Sequence, residues 1–235
     1  TYRSLRLSVA LSGATDTRTI TEEMRGVAAG VAAESDLEVV ATGSPIVTEL
    51  VQRSLLRTLV EGFLITFAVI LAFLAVIFRL RYGSAALGAV VLFPVVLAQA
   101  WLFGTMYLAG LAFTTETAII AAIGIGIGVD YAIHIGERFV DERNGGREPI
   151  EALSRTVRGT GGALLASAVT TVAGFGVLML ALVPSLQRFG FITAVAITYA
   201  FVASVLVLPS LLVVWSRLRA GTESSADSTA AAASR

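Results

Sequence analysis

The stretch Ala121-Ala-Ile-Gly-Ile-Gly-Ile-Gly-Val-Asp-Tyr-Ala-Ile-His-Ile-Gly136 decides the reading of this chain. It is apolar, punctuated by glycine, and long enough with its flanks to cross a bilayer. It carries Asp130, Tyr131 and His134 where a lipid-facing helix would carry leucine. A carboxylate near mid-membrane costs about 2.5–3.5 kcal/mol on insertion scales, so a chain that keeps one there is expected to use it.

Composition agrees with a membrane setting. Of 235 residues, 56% are hydrophobic and only 14% charged, with mean hydropathy +0.83. A soluble domain carries about 25% charged residues. Net charge is zero, so no global basic field draws in nucleic acid. There is no cysteine and one histidine, which leaves out disulfides, thiolate metal sites and the usual zinc sets. No cofactor is expected; the proton is the expected coupling ion.

Outward from the central stretch, the charge-free runs predict about five transmembrane helices. They lie at about 58–79, 84–107, 115–136, 159–183 and 189–216. Residues 137–147 read as a charged loop, and about 148–158 as a short amphipathic helix with Ile150, Leu153 and Val157 on one face. Residues 220–235 are an Ala/Ser/Thr tail of disordered composition. Only residues 1–57 have soluble composition. Arg3 to Leu11 alternates like a strand, Thr19 to Glu34 has helical spacing, Leu37 to Thr42 reads as a second strand, and Ile46 to Thr58 as a helix. The fold expected is an all-α membrane bundle preceded by a partial α+β segment. With no Met at position 1 and no signal peptide, the chain reads as a fragment or one half of something larger.

Arginine orients the spans. Arg79, Arg81, Arg138, Arg143, Arg147, Arg155, Arg158, Arg217 and Arg219 lie in one set of short segments; the opposite set holds Arg188 alone. The positive-inside rule puts the first set and the C-terminus in the cytoplasm, and residues 1–57 outside.

An α-helix turns about 100° per residue, so Gly126, Asp130, His134 and Glu137 share one face of the third span. Glu116 lies about 40° off that face and about 21 Å away along the axis. A stripe of ionisable groups through a membrane is what a proton path needs. Burial raises the pKa of a carboxylic acid and hydration lowers it again, so a carboxyl that alternates between the two can load and release a proton. Tyr131 points about 100° away from Asp130, toward a different partner. In the fourth span Ser167, Thr170 and Thr171 are candidates for lining the path; packing by small residues accounts for each of them taken alone.

Gly124, Gly126 and Gly128 superficially match a dinucleotide fingerprint. They sit inside an apolar span with no strand–turn–helix context, so the match is spurious. Gly124 and Gly128 instead suit close helix contact. An intramembrane aspartyl protease needs two carboxylates sharing a proton. No other span carries a mid-membrane Asp or Glu, so an enzyme is not expected.

Gly128-Val-Asp-Tyr-Ala-Ile-His134, with Glu137-Arg138 and Glu142, resembles the C-terminal half of the resistance-nodulation-division superfamily in its MmpL-type lipid-exporter branch. Ser167 to Gly176, Leu186 to Gly190 and the Gly43-Ser-Pro45 entry into the first span are similar to the same pattern. The resemblance implies that residues 1–57 end an extracytoplasmic porter-like domain. It implies proton-driven efflux of hydrophobic or lipid-like substrates, in exchange for protons, across the cytoplasmic membrane. It also implies an Asp–Tyr pair from each of two halves meeting at the centre. Asp130 and Tyr131 stand at one pair; a missing N-terminal half or a second copy would supply the other. A SecD/SecF-like protein-export accessory and a non-pumping sterol- or lipid-sensing module of the same fold are the alternatives.

Overall fold

The computed structural model describes residues 7–8, 17–35, 38–111 and 113–218. The chain divides into two compact units, Thr1–Val60 and Glu61–Arg235. In order, the helices are α1 (Thr17–Glu34), α2 (Ser44–Tyr82), α3 (Ala86–Leu108), α4 (Thr115–Asn144), α5 (Pro149–Thr156), α6 (Gly162–Val177) and α7 (Pro184–Val202). A π-turn at Val157–Gly161 joins α5 to α6. A second, at Ala203–Val207, follows α7, and helix resumes over 208–218. Five helical stretches are long and apolar enough to cross a membrane: Arg57–Tyr82, Ala86–Leu108, Thr115–Asn144, Pro149–Leu180 and Pro184–Leu218.

The α+β character expected of the first unit is not found, and there is no strand among the described residues. The strand expected at Arg3–Leu11 lies almost wholly outside them. Of the one expected at Leu37–Thr42, residues 38–42 are irregular. A strand exists only through the ladder it forms with a neighbour, and no described segment offers one. The apolar stripe expected on the first helix does form on α1, yet Val27 and Val31 on it remain exposed.

Three junctions read as breaks in the sequence are continuous helix. Residues 46–58 and the first span belong to one helix, α2, of 39 residues. At 1.5 Å per residue it is about 58 Å long, nearly twice a bilayer's hydrocarbon thickness. Charge at Arg57 and Glu61 marks a change of solvent, but nothing there breaks a backbone. The supposed loop at 137–147 is mostly the last turns of α4, which runs to Asn144 and keeps Phe139 and Val140 buried. The amphipathic helix and the fourth span are likewise one rod, widened at Val157–Gly161 where glycines cluster. The second π-turn lies just before Pro209, which has no N–H to return to the carbonyl one turn back.

True breaks carry turn chemistry. α2 and α3 end at Gly83 and Gly110, both with positive φ (71° and 64°). Pro149 opens α5 at a position where a missing N–H costs nothing. Thr114 caps α4, its side chain and that of Thr117 each accepting from the other's backbone N–H.

In the second unit α4 packs against α3 and α7, and α6 packs on α7. The C-terminal part of α2 closes one side through Leu74 and Phe78. Glycine sets the closest approaches. A methyl group on Gly88 would sit 2.7 Å from the backbone nitrogen of Ala75, and one on Gly190 would sit 2.5 Å from the carbonyl oxygen of Phe175. Gly126 has nothing within 4 Å.

Gly88→Ala and Gly190→Ala are therefore expected to cost about 1–3 kcal/mol each, lowering the melting temperature of the detergent-purified protein by roughly 2–12 °C. Gly126→Ala should leave it unchanged. Equal losses at all three positions would contradict this packing.

Candidate functional site

Helix α4 has two unlike faces. One is packed: Ile120, Ala121, Gly124, Ile125, Gly128, Tyr131, Ala132, Ile135, Gly136 and Phe139 are buried against α2, α3 and α7. Glycine makes the fit. A methyl on Gly124 would meet Gln99 Nε2 at 3.0 Å, one on Gly128 would meet Val95 at 3.3 Å, and one on Gly136 would meet Val91 at 2.8 Å. The other face is open, and along it run Ala122, Gly126, Asp130 and His134.

Asp130 stands near the middle of α4 with its side chain 65% exposed. The sequence reading expected a desolvated carboxyl. Within this chain nothing desolvates it, because the close-packing glycines occupy the opposite face. Its partner is His134, one turn on, with Nε2 3.4 Å from Asp130 Oδ1; the imidazole is 55% exposed. One further turn along, Glu137 takes a 2.6 Å bond from Arg81 at the end of α2. Asp130, His134 and Glu137 thus lie in sequence on one stripe, the first two open and the third tied to Arg81.

Tyr131 points elsewhere, as the 100° step requires. It is 3% exposed, meets the Phe201 ring edge-on at 6.3 Å, and has its hydroxyl near Ser167 of α6. Asp130 and Tyr131 are sequence neighbours with different surroundings. Ser167 is the one candidate in the fourth span that the structure brings to the pair. Thr170 donates to the carbonyls of Ala166 and Ser167, and Thr171 to that of Ser167, so both hydroxyl protons are spent on their own helix. Thr170 is exposed and Thr171 half-buried. Gly174 and Gly176 of α6 also face open space. Glu116 is not brought to Asp130; it sits in the first turn of α4 beside a small cavity of about 70 Å³ lined also by Arg188 and Phe189.

Two polar features escaped the sequence reading. Gln99 in α3 is 3% exposed, touches the Gly124 position, and has a buried Oε1 without a hydrogen-bond partner. Glu142 is 5% exposed and is clamped by Arg138 and Arg147. The spacing of Arg138 and Glu142, four apart on a helix, was the available signal. It could be read only once α4 was known to continue through it. Beside it, Tyr82 donates to Asp141 at 3.2 Å, tying α2 to α4 a second time. No group of three metal-binding side chains occurs among the described residues.

A multi-pass bundle whose central helix offers a carboxylate–imidazole stripe on one face has the layout of a membrane transport protein. The comparisons with known proteins agree. The model of the MMPL family matches residues 2–230, and the chain belongs to that family. It is 33% identical over 183 residues to membrane protein MJ1562 of Methanocaldococcus jannaschii, covering 77% of this chain and 46% of that protein. It is 29% identical to the apo-petrobactin exporter of Bacillus anthracis over 43% of this chain and 14% of the exporter. It is likewise 29% identical to transport protein MmpL11 of Mycobacterium leprae over 43% of this chain and 10% of that protein. The chain spans less than half the length of these relatives.

Tyr131→Phe keeps the ring against Phe201 and removes only the hydroxyl near Ser167, so its melting temperature should stay within a few degrees of the parent. Tyr131→Ala leaves a cavity worth about 3–5 kcal/mol. Thermal unfolding of the two variants side by side checks whether this side chain packs as described.

Proposed function

We propose that this chain is one half of a proton-motive-force-driven transporter that exports hydrophobic or lipid-like substrates across the cytoplasmic membrane. The observation that carries the reading is the Asp130–His134 pair, mid-helix and uncovered on an apolar span. Left facing lipid, the Asp130 carboxylate alone would cost about 2.5–3.5 kcal/mol. A second protein surface covers the stripe in the working molecule: a preceding half, or a second copy, carrying its own Asp–Tyr pair. Covered and dry, Asp130 favours its neutral acid; hydrated from either side, it releases the proton. His134 is the next group toward the arginine-rich end, and it takes the proton when Asp130 lets go. Tyr131 and Ser167 close the packed edge of the site, with Thr170 and Thr171 along the same helix. Protonation selects between two arrangements of the halves and so drives transport.

The arginine bias places residues 1–57 outside and 218 inside, with residues 1–57 the end of a porter-like domain that handles substrate. Membership in the MMPL family and the relatives named as exporter or transport protein support transport rather than sensing. The names do not share a substrate, so "hydrophobic or lipid-like" rests on the resemblance alone.

In proteoliposomes holding the complete transporter, Asp130→Asn is expected to lower proton flux about 10²–10⁴-fold, the size of a lost positioned proton carrier. Because the side chain is exposed in this chain, its melting temperature should move little. His134→Gln should slow flux less, because it removes the second carrier and leaves the first in place. Flux unchanged in Asp130→Asn, read with an entrapped pH dye, would falsify the assignment.

A further inference from the structure

At the arginine-rich end of the bundle, α4 and the last helix leave the apolar span together. Between them lies a cavity of about 420 Å³, lined by Arg143, Glu148, Pro149, Ile150, Ser216 and Arg217. That is the size of a small-molecule site. Two of the arginines at this end line it. Arg81, Arg138, Arg147 and Arg155 each have a carboxylate of the chain within 4 Å. Arg143 and Arg217 have none among the described residues, although both line the cavity. Arg143 spends one guanidinium N–H on the carbonyl of Arg147, which fixes its arm and leaves the rest of the fork free to bind. Glu148 is exposed on the same wall and forms no ion pair with either arginine. Ile150, 57% exposed, adds an apolar side.

Two guanidiniums without carboxylates around one cavity call for an anion that is bound in bidentate fashion, which phosphate satisfies. Glu148, the one carboxylate lining the same cavity, calls for a cation attached to that anion. Both charges on one small molecule, at the level where transmembrane helices meet the headgroups, are those of an aminophospholipid. We infer that this cavity binds the headgroup of a phosphatidylethanolamine-type lipid, with the phosphate on Arg143 and Arg217, the ammonium on Glu148 and the glycerol end beside Ile150. Basic pockets between spans are where lipid headgroups are recognised. The site lies on a different part of the molecule from the Asp130 stripe and does not depend on the proton-carrier reading. It would tie the arginine-rich ends of α4 and the last helix to one leaflet.

Trp215 precedes the cavity residues, and the only other tryptophan is Trp101. In a Trp101→Phe background, the whole protein is placed in phosphatidylcholine nanodiscs doped with phospholipids brominated on the acyl chains. Brominated phosphatidylethanolamine should quench Trp215 with a relative binding constant about tenfold above brominated phosphatidylcholine, because the phosphate is common to both lipids and only the primary ammonium can donate a charge-assisted hydrogen bond to Glu148. Glu148→Gln should erase that preference. Arg143→Gln with Arg217→Gln should bring every headgroup to the phosphatidylcholine level, with the melting temperature unchanged because neither arginine holds an internal ion pair. Three results overturn the proposal: equal quenching by all headgroups, a preference for brominated phosphatidylglycerol over phosphatidylethanolamine, or a preference that survives both variants. Loss of the preference in millimolar inorganic phosphate would reassign the cavity to a soluble anion.

Discussion

A helix in a membrane gains nothing from hiding leucine from water, so it holds its neighbours by fit. In this protein the fit belongs to α4. Gly124, Gly128 and Gly136 bring that helix against Gln99, Val95 and Val91 of α3 so closely that a single methyl group would collide at Gly136 and crowd its neighbour at the other two. Everything else about the second unit follows from that choice of face. Once one side of α4 is committed to close packing, its remaining side must carry whatever the helix is for. That side carries Asp130 and His134.

The same division explains why Asp130 and Tyr131 part company. Adjacent residues on a helix are a quarter-turn and more apart. The tyrosine falls within the packed face, against Phe201 and Ser167, and the aspartate falls outside it. A tyrosine anchored in the bundle is a fixed reference; a carboxylate on the open face is available to a second surface. The polar clamp at the arginine-rich end, where Arg81 meets Glu137 and Tyr82 meets Asp141, holds the end of α2 to the same helix.

Much of the candidate site was legible in the sequence. The run from Ala121 to Gly136 announced a span, and the spacing of Gly126, Asp130, His134 and Glu137 put them on one face because helical geometry leaves no alternative. The residues missed were missed for identifiable reasons. Glu142 looked like part of a charged loop, since charge density is the ordinary sign of a loop, yet here it marks a helix leaving the membrane and clamped by Arg138 and Arg147. Gln99 looked like one polar residue in an apolar span. Its contact with Gly124 joins two helices that no local pattern connects.

By itself the sequence determined the medium, the number of crossings and the residues that break the apolar pattern, because hydropathy and helical periodicity are properties of local chain. Membership of the MMPL family is likewise written in the order of its motifs. Only the tertiary structure decided which face of α4 is closed. Periodicity groups residues into faces but is blind to what each face meets. The contacts of α3 and α7 with α4 supplied that missing fact, and they left Asp130 on the outside of its own chain.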